Sequence, residues 1–303
     1  MGELAGGGTA AFEAYVEALI EVIGHADRAE PLGDYCLGLM MPVARKSVEP
    51  LAAVTAPARV SAKHQSLLHF VGQSPWSDEA LLARVRDRVL PRMIKRGGTI
   101  TAWIIDDTGF PKKGKHSVGV ARQYCGQLGK QDNCQVAVSL SIANERASLP
   151  VAWRLYLPEL WAKDQALRQK AKIHDSVVFQ TKPQIALDQI RAATAAGTPA
   201  GVILADAGYG ADGAFRAGLS ELGLAYVVGV QPTLSVWRPG EAPLPPNARG
   251  GTGRPPSLLR RSREHKPLSA KALAQELPAD AWQTVRWREG SNVDLASRFD
   301  RAQ

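Results

Sequence analysis

The chain has 303 residues, 45% hydrophobic and 22% charged, a composition typical of a soluble globular protein with one large domain or two to three ordinary ones. Its net charge of +8 favours a polyanionic partner, with nucleic acid as the first candidate and a membrane surface as the second. The N-terminus does not read as a signal peptide, and no apolar run approaches the ~20 residues needed to span a membrane, which argues against a membrane protein. The cysteines, Cys36, Cys125 and Cys134, show no CxxC spacing, which argues against a disulfide framework or a structural zinc site and fits a reducing cytoplasm.

Residues 1–98 are predicted to form a helical region. Apolar residues recur at helical spacing from Phe12 to Ile23, and two further helices are separated by a break near Gly72–Pro75. Ser77 is the expected N-cap of the last helix. That helix carries a run of basic residues: Arg84, Arg86, Arg88, Arg92, Lys95 and Arg96. Such a run is usually a solvated face, and in a basic protein it can also lie on a phosphate backbone.

From residue 99 to residue 230 the pattern changes to strands and helices. TITAWIID predicts a buried strand, and SVGVARQYC, NCQVAVSLSIAN and LPVAWRLYLP predict further strands in an antiparallel meander. A helix follows, with Thr181 as N-cap and Gly197 as C-cap, and then the strand GVILAD, the helix ADGAFRAGLSELG and the strand LAYVVGV. This order predicts a ribonuclease-H-like α/β fold, a mixed sheet flanked by helices.

Residues 231–303 are rich in Pro, Gly and Arg, and are predicted to be an irregular insertion followed by a truncated C-terminal part. Within them, KALAQELPADAW predicts a short helix and QTVRWREGS a strand. The polar end SRFDRAQ is expected to add no core element, and the last ~60 residues are expected to be poorly ordered. The predicted domains are therefore 1–98, 99–230 and 231–303.

Two aspartates follow predicted strands. Asp107 ends TITAWIIDD, and Asp206 ends GVILAD. Ligands bind at the carboxyl edge of open α/β sheets, and carboxylates from two strands suit a divalent metal with oxygen ligands. Asp107 is favoured over Asp106 because side chains alternate along a strand. Gly109 and Pro111 are expected to force a turn at once.

Lysines and a tyrosine accompany these aspartates. Lys112, Lys113 and Lys115 follow the expected turn, where they either neutralise the phosphates of a phosphodiester or belong to an ordinary solvated loop. Tyr209 lies between two glycines just after Asp206, where it either stacks on a base or packs locally.

Two other phosphate chemistries fit the first segment poorly. Gly109, Gly114 and Lys115 match the GxxxxGK of a phosphate-binding loop, but His116 stands where a Ser or Thr should hold magnesium, and a strand follows instead of a helix. A phosphatase of the haloacid-dehalogenase type would need DxDx[TV], whereas IIDDTG has adjacent aspartates.

A longer set of segments resembles a known family. WIIDDTGFPKKGKHSVGVARQYCGQLGKQDNCQVAVSLSIAN, LPVAWRLYLP, FQTKPQIALDQI and GVILADAGYG are similar to the DDE-type transposases of bacterial insertion sequences, which are DDE superfamily endonucleases with a ribonuclease-H-like catalytic domain. The resemblance implies that Asp107 and Asp206 are the first two metal-binding carboxylates. It implies DNA cleavage and strand transfer with two Mg²⁺ ions, for which Mn²⁺ can substitute.

The implied partners are transposon ends and target DNA, together with a second copy of the chain in a homodimer; no membrane partner is implied. Residues 1–98 would bind the DNA ends or make the dimer contacts. The family's third carboxylate is a Glu in a pattern like YxxRxxxExxxxK, and neither Glu276 nor Glu289 has those neighbours. The resemblance therefore implies a C-terminally truncated transposase with impaired activity. The alternative is a non-catalytic DNA-binding remnant that inhibits a full-length transposase.

Overall fold

The computed structural model describes residues 2–247, 257–289 and 294–300. The chain divides into two units, one comprising Met1–Leu204 and Phe215–Val227 and the other Ala205–Ala214 and Val228–Gln303. In the described residues, no helix combines the length and the apolar character that crossing a membrane requires.

The helical region expected at residues 1–98 contains α1 (Gly2–Ile20), α2 (Ala29–Met40), α3 (Val48–Thr55), α4 (Val60–Gly72) and α5 (Asp78–Gly97). Helices α1, α4 and α5 correspond to the predicted helices, whereas α2 and α3 were not predicted individually. Leu19, Ile23, Leu32 and Phe70 form one buried cluster, and Leu51, Ala52 and Leu67 form another. Helix α5 begins at the predicted cap, because the Ser77 hydroxyl accepts a hydrogen bond of 3.1 Å from the Ala80 N–H.

A buried lysine joins α4 to α2. Lys63 is only 7% exposed, and its ammonium lies 2.6 Å from the Glu30 carboxylate and also contacts Asp34. Burying an unpaired ammonium is costly, so the two carboxylates, one turn apart on α2, are what makes this position tolerable.

The first unit continues with a mixed sheet: β1 (Ala102–Pro111), β2 (Ala121–Cys125), β3 (Lys130–Ala143), β4 (Ser148–Leu155), β5 (Val202–Ala205) and β6 (Tyr226–Val228). The strand order is β2-β3-β1-β5-β6, with β4 also paired to β3. Strands β1, β2 and β4 run antiparallel to β3. The Val202 N–H donates to the Thr101 carbonyl at 2.9 Å, so β1 and β5 start at the same edge and run parallel.

Strand β1 is longer than the sequence predicted. It does not end at Asp107, and the expected turn at Gly109 and Pro111 is wrong: pairing with β3 continues to the partners Pro111 and Cys134. Two features allow this. The long strand β3 supplies partners throughout, and a Cβ at Gly109 would lie 2.8 Å from the Cys125 sulfur, so only glycine fits there.

The three strands predicted as an antiparallel meander, β2, β3 and β4, pair in chain order, β2 with β3 and β3 with β4. Strands β2 and β4 pair with successive halves of β3, and β1 also pairs with β3. This arrangement follows from the length of β3, which has 14 residues against 5 in β2 and 8 in β4.

Helices α6 (Glu159–Lys163), α7 (Gln165–Lys170) and α8 (Lys182–Ala195) separate β4 from β5. Helix α8 has the predicted N-cap, Thr181, which forms a capping box with Gln184, and Gly197 follows its end with a φ of 69°. The helix is fixed to the sheet by the Gln189 amide, which donates to the Val138 carbonyl at 3.0 Å. Helices α9 (Ala207–Gly210) and α10 (Gly213–Glu221) lie between β5 and β6.

The second unit contains β7 (Ser235–Val236) paired with β8 (Leu268–Ser269), helix α11 (Ala270–Glu276), and β9 (Trp282–Glu289) paired with β10 (Asp294–Asp300). The short helix and the strand predicted from the sequence are α11 and β9. Strand β10 is an exposed strand and not a core element, and the poor order expected of the last ~60 residues stays a prediction. Residues 248–256, 290–293 and 301–303, to which the same prediction applied, lie outside the described residues.

Candidate functional site

Asp107 lies in the middle of β1 and is half-buried. By strand alternation it shares a face with Trp103 and Ile105, which are buried. Its side chain is 29% exposed, and one carboxylate oxygen accepts a hydrogen bond from the Lys182 ammonium. Asp106 is exposed, and its Oδ1 accepts from the Asp107 N–H at 2.7 Å. Of the two adjacent aspartates, Asp107 is therefore the one in a structured, charged environment.

Lys182, the partner of Asp107, was missed by the sequence analysis. It is the first residue of α8, and its ammonium also lies 5.7 Å from the centre of the Tyr156 ring. The Tyr156 ring in turn makes an edge contact with Phe179 at 6.5 Å between ring centres. The charge of Lys182 also acts on the Cys134 thiol. Burial raises the pKa of that thiol most and Cys125 raises it further, whereas the positive charge of Lys182 lowers it.

One signal in the sequence pointed to Lys182. A cation in the first turn of a helix opposes the helix dipole, which favours acidic groups there. A lysine directly after a strong N-cap therefore calls for an anionic partner. The sequence alone did not identify that partner as Asp107, 75 residues away.

The three lysines after β1 lie away from the Asp107 carboxylate. Lys112 is five residues beyond Asp107, which along an extended strand is about 16 Å. The lysines follow strand β1 instead of the turn expected at Gly109 and Pro111, because β1 continues to Pro111. All three, Lys112, Lys113 and Lys115, are exposed. Their loop is held by the Asn133 amide, which donates to the carbonyls of Lys112 and Gly114 at 2.7 and 2.9 Å.

Asp206, in the second unit, directly follows β5 and is the N-cap of α9. Its side chain is exposed, and Oδ1 accepts from the Gly208 N–H at 2.8 Å. A Cβ at Gly208 would lie 3.0 Å from that same oxygen, so glycine leaves the carboxylate room in this position. The short helix α9 was not predicted, since the glycines of ADAGYG indicated a turn.

The glycines of this motif permit close backbone packing. A Cβ at Gly210 would lie 2.0 Å from the carbonyl oxygen of Gly229, and a Cβ at Gly229 would lie 2.7 Å from the Ala207 nitrogen. Tyr209 is only 3% exposed. That burial leaves no ring face for a base to stack on, and favours local packing, the other role considered for this residue.

The chemistry of Asp107 and Asp206 fits Mg²⁺. Both offer carboxylate oxygens that are at least partly exposed, and Mg²⁺ commonly takes one or two carboxylates while keeping several waters and substrate phosphates as its other ligands. In the part of the chain that the structure describes, no group of three or more His, Cys, Asp or Glu side chains is arranged to hold a metal.

Glu276, which the sequence analysis did not favour as a third carboxylate, lies in α11 and is engaged elsewhere. Both of its oxygens accept hydrogen bonds from the Arg238 guanidinium, at 2.8 and 3.0 Å. The side chain of Glu289 lies outside the described residues.

Comparison with known proteins places the chain in a family. The model of the DDE superfamily endonucleases matches residues 18–293. The chain is also 32% identical over 196 residues to the probable transposase for insertion sequence element IS701 from Microchaete diplosiphon, an alignment that covers 64% of this chain and 47% of that protein. It thus spans about half the length of the curated relative that it matches. Because the family model covers most of the sequence and the α/β architecture agrees with it, the chain belongs to the DDE superfamily endonucleases.

Proposed function

We propose that the protein acts as an insertion-sequence transposase, which cleaves DNA at transposon ends and transfers the strands to a target by two-metal phosphoryl transfer. The observation that carries this proposal is the family match over residues 18–293, which includes both candidate carboxylates. The similarity to a probable transposase supports transposition as the activity within this endonuclease family.

In this proposal, Asp107 and Asp206 are ligands of Mg²⁺, and Mn²⁺ can replace it. The ions would supply Lewis-acid activation of the attacking hydroxyl and stabilisation of the leaving 3′-oxygen. The chain's own contribution is to present carboxylates from rigid positions. The Asp107 backbone is held by its pairing with Val138 of β3, and the Asp206 side chain is fixed by its hydrogen bond from Gly208.

The basic residues have a separate role in binding DNA. Lys112, Lys113 and Lys115 are exposed in one loop, and we propose that they contact backbone phosphates. Helix α5 contributes less than its sequence suggested. Arg84 is paired with Glu21, and Arg88 donates to the Ala14 carbonyl at 3.3 Å. We further propose that two copies of the chain act as a homodimer on paired ends.

The alternative function is non-catalytic binding to transposon ends, with inhibition of an active transposase. It is favoured by the state of Glu276, which is paired with Arg238 and therefore engaged away from any metal ion.

The two functions are separated by incubating the purified chain with DNA that carries the element's ends, in Mg²⁺, in Mn²⁺ and in EDTA. Metal-dependent nicking at the ends supports the transposase. Specific binding without nicking supports the DNA-binding remnant. No preference for the ends over random DNA of the same length would contradict both.

A further inference from the structure

Lys182 has no role in the function described so far, yet it contacts the carboxylate proposed as a metal ligand. We propose that Lys182 is a positioning residue that holds the Asp107 carboxylate while no metal is bound and competes with the divalent cation for it. This inference rests on the proposed function, in which Asp107 is a metal ligand.

The first support is the placement of the pair. The Lys182 ammonium contacts the Asp107 carboxylate directly, and each side chain is 29% exposed, so water screens the pair only in part. A divalent cation on Asp107 would need the same oxygen, or at least would place two positive charges beside a third. Lys182 must therefore lose part of its interaction when the cation binds.

The second support is that Lys182 is held in place. Its backbone begins α8, where the Gln184 side chain accepts from the Thr181 N–H at 2.8 Å and closes the capping box. Its ammonium lies 5.7 Å from the Tyr156 ring centre, within cation–π range. The aromatic ring gives the ammonium a second partner close to the carboxylate, so Lys182 remains near the site when Asp107 turns to a cation.

The third support is that the start of α8 is electrostatically unfavourable for a lysine. A lysine in the first turn faces the positive end of the α8 dipole, so the helix alone would favour a neutral or acidic residue. A purely structural link between α8 and β1 could use the opposite arrangement, with an acid on the helix. The observed arrangement leaves the acid on β1, where the family resemblance expects a metal ligand.

Competition and a purely structural ion pair predict opposite changes in Mn²⁺ affinity when the charge of Lys182 is removed. Removing the charge of Lys182 should tighten Mn²⁺ binding about tenfold, because one repelling positive charge leaves the neighbourhood of a divalent ion. A residue that only organised the carboxylate would weaken Mn²⁺ binding when removed.

The experiment measures Mn²⁺ affinity of the full chain without DNA, by the electron paramagnetic resonance signal of free Mn²⁺. The variants are Lys182→Gln, Lys182→Arg, Asp107→Asn and, as matched control, Lys170→Gln, which neutralises an exposed lysine at the end of α7. We expect tighter binding for Lys182→Gln, wild-type binding for Lys182→Arg and Lys170→Gln, and loss of binding for Asp107→Asn.

A thermal unfolding series in EDTA checks the contact itself. Lys182→Gln and Asp107→Asn should each lower Tm by about 1–2 °C, and the double variant should lower it no further, because both remove the same pair. This series also shows whether each variant is folded.

The outcomes separate the two proposals. Unchanged or weaker Mn²⁺ binding in Lys182→Gln, together with loss of binding in Asp107→Asn, would overturn the role of Lys182 and leave the metal site standing. Wild-type Mn²⁺ binding in Asp107→Asn would overturn the metal site itself. Absence of Mn²⁺ binding in both the wild type and Lys182→Gln would overturn both.

Discussion

Replacing Gly210 by alanine tests whether the ADAGYG segment depends on close backbone packing. A Cβ at this position would lie 2.0 Å from the Gly229 carbonyl oxygen, whereas ordinary contacts are 3.4–4 Å. The oxygen belongs to the backbone, so it cannot rotate away as a side chain would. The Gly229 N–H also donates to the Ala205 carbonyl at 2.9 Å, which ties that segment to the end of β5.

The magnitude follows from three terms. Overpacking a well-packed position costs about 1–3 kcal/mol, and the size of this overlap places Gly210→Ala at the upper end. Straining the Gly229 hydrogen bond adds about 0.5–1.5 kcal/mol. The higher helix propensity of alanine returns up to about 1 kcal/mol. The steric overlap outweighs this gain, and the net loss is about 3 kcal/mol, or roughly 5 °C in Tm for a protein of this size.

The assay is thermal unfolding followed by circular dichroism, with Gly114→Ala as control. Gly114 is exposed, and a Cβ there would meet nothing within 4 Å, so its replacement should change stability by less than about 0.5 kcal/mol. If Gly210→Ala melted within about 1 °C of the wild type while Gly114→Ala behaved as expected, the reasoning about the packed turn would be refuted.

Three further predictions concern charges. Lys63→Met should lower the free energy of unfolding, measured in urea, by about 2 kcal/mol. The loss is smaller than for a fully buried ion pair, because the Asp34 side chain that loses its partner is 21% exposed; an unchanged free energy of unfolding would contradict a stabilising role for Lys63. Lys63 lowers the pKa of Glu30 by its hydrogen bond and then by its charge, so the stability advantage of wild type over Glu30→Gln should be complete above the usual pKa of 4.5 and should decrease as the pH falls below it; an advantage that does not decrease on acidification would refute this prediction. Replacing Lys112, Lys113 and Lys115 by glutamine should weaken DNA binding and flatten its salt dependence by roughly 2–3 in slope, and an unchanged slope in a binding titration would exclude the loop from the interface.

Periodic and local features of the fold could be predicted from the sequence. The caps at Ser77 and Thr181, the strand and helix order, and the mixed α/β class all depend on residues close together in the chain. The pairing of β1 with β3 depends on the relative lengths of four strands, which no local pattern records. Reading Gly109 and Pro111 as a turn failed for this reason, since strand pairing with β3 outweighed their local preference.

At the candidate site, too, local features could be predicted from the sequence, whereas contacts between residues distant in the chain could not. Asp206 follows β5 as its sequence context predicts, whereas Asp107 lies within β1 and not at its end. The contact between Asp107 and Lys182 joins residues 75 apart and could not be read from spacing. Tyr209 looked available because it lies between glycines, yet those glycines let the backbone pack closely, and its ring is buried.

We propose that Asp107 and Asp206 are each ligands of the metal ions used in catalysis. The most direct measurement compares Asp107→Asn, Asp206→Asn and the neighbouring control Asp106→Asn in Mn²⁺-dependent nicking of end-containing DNA, with DNA binding measured in parallel. We expect the nicking rate to fall about a hundredfold or more in Asp107→Asn and in Asp206→Asn, since each removes a proposed metal ligand, and to change little in Asp106→Asn. Nicking at the wild-type rate in either Asp107→Asn or Asp206→Asn would contradict this proposal.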